Sequence, residues 1–165
     1  MIENKKASII LILKVLEEYS DEEHYLTQAE IIKKVYEIYN IEIERKSVAY
    51  SISLLIELGY DIVKGTHGGY ALLSRMIDNV EAKYLLDAIY SSKSITSKQA
   101  KNLAEKITSN LSSYQRKDYN YLIKSNEINR TNNNQIFYSL ELIQEAIRRN
   151  KRICFSLLTY DEFGN

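Results

Sequence analysis

Arg45, Lys46 and Ser47 stand together at the expected start of a helix, and Tyr50 and Ser53 follow a turn or more further along the same face. Two cations, a hydroxyl and open backbone amides at a helix start suit phosphate oxygens. An aromatic ring and a second hydroxyl beyond them suit base edges or a thymine methyl. Lys64, Thr66 and His67 lie in a glycine-rich turn shortly afterwards. From there they would touch a nucleic-acid backbone or its minor groove. Each group also has a plainer reading. The helix start can be ordinary solvated surface, Tyr50 can pack at a subunit contact, and the turn can be an exposed hairpin.

The elements that must position these residues are legible from their punctuation. Four of the chain's five glycines fall between Gly59 and Gly69. Gly59 suits a left-handed helix end. Ile62 and Val63 suit a strand, and Tyr70 and Leu72 a returning one. Gly65, Gly68 and Gly69 free the backbone for the reversal between them. Before this hairpin, residues 5–19 read as a broad amphipathic helix. Ile9, Leu13 and Leu16 line one face, widened by Ile10, Ile12 and Val15. Tyr25 and Leu26 read as a short extended piece. Thr27 and Glu30 form a capping-box pattern opening a second helix to about Tyr39, with Ile31, Ile32, Val35, Tyr36 and Tyr39 inward. A third helix from Arg45 to Leu58 places Val48, Ile52, Leu55 and Leu58 inward.

Beyond a hinge at residues 74–79, Asp78 to Glu81 opens a fourth helix with Val80, Tyr84, Leu85, Ala88 and Ile89 apolar. Thr96 and Gln99 cap a fifth, carrying Leu103, Ala104, Ile107 and Leu111. Residues 112–136 are weakly patterned, and Asn126 to Gln135 reads as a loop or linker. Leu140 to Arg149 reads as a final helix with Leu140, Ile143, Ala146 and Ile147 inward. Its basic end, Arg148, Arg149, Lys151 and Arg152, suits the helix dipole, and contact with nucleic acid is the alternative. Arg152 to Thr159 alternates as a strand, followed by a turn signal at Tyr160 to Asn165. A strand entering a turn needs a return partner, so the chain is expected to be a piece of a longer protein.

Composition narrows the chemistry. The 165 residues are 45% hydrophobic and 27% charged, with no proline, no tryptophan and 14 tyrosines. This is a globular, largely helical composition of one ordinary domain or two small ones. Net charge is zero. Residues 1–75 carry 9 Lys+Arg against 12 Asp+Glu, a net of −3 that argues against tight nonspecific nucleic-acid binding. The acids gather at Glu17, Glu18, Asp21, Glu22 and Glu23, apart from the basic edge of Arg45, Lys46 and Lys64. A single cysteine, Cys154, excludes an intrachain disulfide and favours a reducing compartment. With apolar neighbours it reads as a plain strand residue. The apolar run from Ile9 to Leu13 is too short for a membrane span, and no signal-peptide pattern precedes it, so the expected location is the cytoplasm. His24 and His67 are the only histidines, and no spacing with Cys154 or acids makes a zinc site. No nucleophile neighbourhood supports a catalytic triad. The glycine turn lacks the Lys-Ser/Thr and the following helix of a phosphate-binding loop. No enzyme activity, cofactor or metal is therefore expected.

Helix, helix and hairpin are the layout of a winged helix-turn-helix. The full order resembles the bacterial WYL-domain transcriptional regulators. The resemblance rests on Arg45-Lys46-Ser47-Val48 with Ile52 and Leu55, on Gly59-Tyr60-Asp61-Ile62, on Gly68-Gly69-Tyr70-Ala71-Leu72, and on Ala146-Ile147 before Phe155. It implies a mainly α fold with a small β component: a winged helix-turn-helix over residues 1–75, a helical connector and dimerisation region over 76–125, a linker over 126–138, and the first helix and strand of a truncated Sm-like barrel, the WYL domain, over 139–165. It also implies a dimeric, sequence-specific regulator binding double-stranded DNA. An effector, nucleic acid or nucleotide, would bind only through the missing part of the sensor. The chain departs from the family at Tyr50-Ser51, where a basic-acidic pair is common, and it lacks the Trp-Tyr-Leu motif. Two other readings remain open: a winged-helix module that binds protein, and a short form that poisons dimers of a full-length regulator.

Overall fold

The computed structural model describes residues 4–66, 68–119 and 130–155. Among them the chain is mainly helical, with one two-stranded antiparallel sheet. The order is α1 (Asn4–Tyr19), α2 (Gln28–Tyr39), α3 (Arg45–Glu57), β1 (Ile62–Lys64), β2 (Tyr70–Leu72), α4 (Asn79–Ser91), α5 (Ser97–Thr108), α6 (Ser113–Lys117) and α7 (Ile136–Arg148). No helix among the described residues is long and apolar enough to cross a membrane.

Two apolar clusters organise the chain. The first joins α1, α2, α3 and the sheet through Ile12, Val15, Leu16, Leu26, Ile31, Val35, Val48, Ile52, Leu55, Ile62 and Leu72. The expected faces of α1 to α3 form most of it. Ile10, Tyr36 and Leu58 are corrections, since all three are exposed. Ile10 and Tyr36 lie on the outer shoulders of their helices. Leu58 follows the last turn of α3, where the chain already turns away through Gly59 at φ +93°.

The hairpin pairs Ile62 with Leu72, Val63 with Ala71 and Lys64 with Tyr70. Its turn closes through the Gly68 amide donating to the Gly65 carbonyl at 3.0 Å. Leu26 adds a bridge on the other side of Tyr70, with reciprocal amide–carbonyl bonds of 2.9 and 2.8 Å. Thus the expected extended piece at Tyr25 and Leu26 fixes the hairpin against the helices. Ser20 adds a buried link, donating to the Leu16 carbonyl at 2.7 Å and accepting from the Leu72 amide at 3.0 Å.

The second cluster lies between α4, α5 and α6: Ala82, Leu86, Ala104, Leu111 and Tyr119, flanked by Ile77, Tyr90 and Ile107. Ala82 and Ala104 let α4 and α5 approach closely. The Tyr119 hydroxyl donates to the Asn79 carbonyl at 2.8 Å. Ala104 and Ile107 of α5, with Leu111 just beyond it, are taken up in this cluster. The short α6 lay unrecognised in the weakly patterned stretch. Its signal was the capping box Ser112/Gln115, the same device as Thr27/Glu30, Asp78/Glu81 and Thr96/Gln99.

Arg130 then closes the end of α4, donating to the carbonyls of Tyr90 and Ser92 at 2.7 and 2.6 Å. The last helix starts at Ile136, earlier than expected, and none of its residues is buried. Leu140, Ile143 and Ile147 are exposed because no described element packs on them, which corrects the inward assignment. Residues 152–155 form no strand, since no described segment offers them a ladder. The rest of the expected strand, residues 156–159, lies outside the described residues.

Candidate nucleic-acid interface

The start of α3 differs from the starts of α2, α4, α5 and α6. Its N-cap, Glu44, makes no side-chain capping bond, so the first-turn amides are not closed by a neighbour's oxygen. Arg45 and Lys46 therefore sit beside open donors at the positive end of a helix. The exposed side of α3 continues through Ala49, Tyr50 and Ser53. Tyr50 is 71% exposed, an unusual cost for a large ring that contributes nothing to the core.

Arg45 turns toward α2. Its Nε donates to the Gln28 side-chain oxygen at 2.8 Å. Its terminal nitrogens make no hydrogen bond among the described residues. Gln28 thus fixes the guanidinium and leaves its outer edge open to an oxyanion. Sequence reading missed Gln28. Its signal was its place as the first residue of α2, directly after the Thr27 cap.

Arg45 and Gln28 share an open cleft of about 460 Å³ with Thr27, Ala29, Ile32, Lys64, Gly68, Gly69 and Tyr70. Two cations distant in sequence, Arg45 and Lys64, thereby line one groove between α2, the start of α3 and the hairpin. Neither has an ion-pair partner among the described residues. Thr66 is exposed on the hairpin turn. His67 lies outside the described residues. Ser47 is half-buried and follows Arg45 by two residues, about 200° around the helix. The expected trio of Arg45, Lys46 and Ser47 is therefore split. Arg45 enters the cleft, Lys46 faces outward with Tyr50 and Ser53, and Ser47 lies on the opposite flank from Arg45.

The acidic cluster has a separate role. Asp21, 3% exposed, accepts from the Ser112 hydroxyl at 2.5 Å, from the backbone amide of His24 at 2.9 Å and from that of Glu23 at 3.1 Å. His24 Nδ1 lies 2.6 Å from the same carboxylate, and its ring stacks on Tyr114 at 3.7 Å between centroids. Burial alone would raise the Asp21 pKa. The bonds from Ser112, His24 and Glu23, with the nearby His24 charge, outweigh burial and hold it below its ordinary value. Around it, Gln115 donates to Glu22 at 3.0 Å and Arg116 to Glu18 at 2.8 Å. Arg75 donates to the carbonyls of Glu17 at 2.8 Å, Ser20 at 2.5 Å and Asn110 at 3.1 Å. Three of the five clustered acids, Glu18, Asp21 and Glu22, thus bond through their carboxylates to the start and body of α6. In this cluster the carboxylate, not the imidazole, holds the serine hydroxyl.

No described group of three or more His, Cys, Asp or Glu is placed to hold a metal ion. Comparison of the chain with protein-family models, with curated proteins and with solved structures gives no match.

Proposed function

We propose that this chain is a dimeric, sequence-specific DNA-binding transcription regulator of the WYL type, with residues 1–75 acting as its winged helix-turn-helix. The observation that carries the reading is the convergence of Arg45 and Lys64 in one cleft, beside the outward row of Lys46, Tyr50 and Ser53 on α3. In this reading α3 enters the major groove. The cleft receives the phosphate backbone flanking it, and the hairpin acts as the wing. Arg45, held by Gln28, and Lys64 would supply affinity. Tyr50 and Ser53 would supply the base contacts. The acidic charge weighs less against this reading, because Glu18, Asp21 and Glu22 turn to Arg116, Gln115 and Ser112 of α6 and its cap.

Each phosphate neutralised adds roughly 0.9 to the slope of log affinity against log salt. Replacing both Arg45 and Lys64 by alanine should therefore lower that slope by about 1–2 and weaken binding to all duplexes alike. Fluorescence anisotropy across a salt series reads it directly. An unchanged slope would remove the cleft from the interface.

A further inference from the structure

Each strand of the hairpin is three residues long, and the ladder has three register pairs. A two-stranded ladder of that length has little stability of its own. Its turn is closed by the Gly65 amide donating to the Gly69 carbonyl at 3.1 Å. Tyr25 lies against both ends of that bond. A β-carbon at Gly65 would stand 2.9 Å from Tyr25 Cδ1 and 3.2 Å from its Cγ, and one at Gly69 would stand 3.2 Å from Tyr25 Cβ. Gly65 is not among the glycines with positive φ. Glycine is required there by the close approach of the Tyr25 ring and of the Gly68 carbonyl oxygen, and not by backbone conformation. The residue before Gly65 is Lys64, which lines the cleft with Arg45, and Thr66 follows on the exposed turn.

We propose that Tyr25 is a positioning residue for the nucleic-acid interface: its ring, seated on Gly65, fixes Lys64 and Thr66 in the free protein, so the turn meets DNA as a pre-formed contact and not as a flexible arm. The Leu26–Tyr70 bridge holds β2. β1 lies beyond β2 from Leu26, and Tyr25 is the side chain of the same extended piece that reaches across to its end. An ordered turn has less freedom to lose on binding, which lets a single lysine contribute affinity. Tyr25 is 36% exposed and stands outside the core that Leu26 joins. Its removal therefore loosens the turn and leaves the helices packed. Its close contacts run through Cβ, Cγ and Cδ1, so phenylalanine can replace it.

The proposal deepens the DNA-binding reading and rests on it, so one arm of its test contains no DNA. Amide hydrogen exchange of the free chain reads the turn directly. In Tyr25→Ala the Gly65 and Gly68 amides should exchange about tenfold faster or more than in the native chain, while those of Val35 and Ile52 keep their rates. Tyr25→Phe should restore the native rates. Turn amides that exchange alike in the native chain and in Tyr25→Ala would overturn the proposal. So would equal acceleration at Val35 and Ile52, which marks a general loss of stability. The second arm is the salt series. Lys64→Ala should lower the slope by about 0.9. Tyr25→Ala should lower it as well, and the double variant should fall no further than Lys64→Ala alone, because both act through the same lysine. An unchanged slope in Tyr25→Ala, or a full sum of the two losses in the double variant, would overturn the proposal. If the native chain binds no duplex, the DNA reading fails, and the exchange arm still decides whether Tyr25 holds the turn.

Discussion

Gly69 carries two constraints where Gly68 carries one. Both have positive φ, +83° and +88°. A side chain at Gly68 would meet nothing within 4 Å, whereas at Gly69 it would lie 3.2 Å from the Leu26 carbonyl carbon and oxygen. Gly68→Ala should cost about 1–2 kcal/mol of stability from the backbone alone. Gly69→Ala should cost more, because the Leu26–Tyr70 bridge must also give. Urea unfolding of the two variants gives the order, and equal losses would contradict it. The glycine turn was plain in the sequence. The partner that makes Gly69 special was not, because Leu26 lies far away in the chain. The same limit separates Arg45 from Gln28 and Lys64. Residue types marked the two cations as candidates, but only tertiary packing makes them neighbours and leaves Ser47 behind. Tyr50 and Ser53 needed only the helical period, and they stand on the exposed side as expected.

Among elements, the joint between the end of α1 and the α5–α6 region decides how the α1–α3 and hairpin half is held. Asp21 is its centre. Removing its charge while keeping its shape, in Asp21→Asn, leaves the Ser112 and His24 donors poorly matched and should cost about 1–3 kcal/mol at neutral pH. The pH dependence follows from the depressed pKa. The unfolded chain takes up the proton first as pH falls, at the ordinary value of 3.8. The Asp21 contribution is therefore complete above that value and is lost as pH falls through the lower folded one. Glu30, lowered chiefly by the Thr27 amide and hydroxyl, titrates in the same sense and remains in the variant. Stability measured by urea at pH 7 and near pH 3 should converge for the two proteins, and a constant gap would contradict the account. The sequence showed these acids only as a cluster apart from the basic edge, because their partners, Ser112, Gln115 and Arg116, sit about ninety residues away. The helices around them were legible, since capping boxes are local. The inward face of α4 was not. Two small-to-medium residues, Ala82 and Leu86, pack better against α5 than the larger Tyr84 would, so the more hydrophobic-looking stripe was left outside.

At the scale of the molecule, the α2–α3–hairpin cleft and the outward α4 face lie on different parts of one chain. The cleft is the part proposed to receive phosphate, through Arg45 and Lys64. A dimer of the proposed regulator would present two α3 helices, and such dimers read half-sites about one helical turn apart or multiples of it. Selection from a random duplex pool by the purified chain, at about 50 and about 200 mM salt, tests this most directly. The account predicts enrichment of a short inverted repeat at the lower salt, strongly reduced at the higher, with Tyr50→Ala broadening the recovered sequences. A pool that emerges unenriched at the lower salt would contradict it.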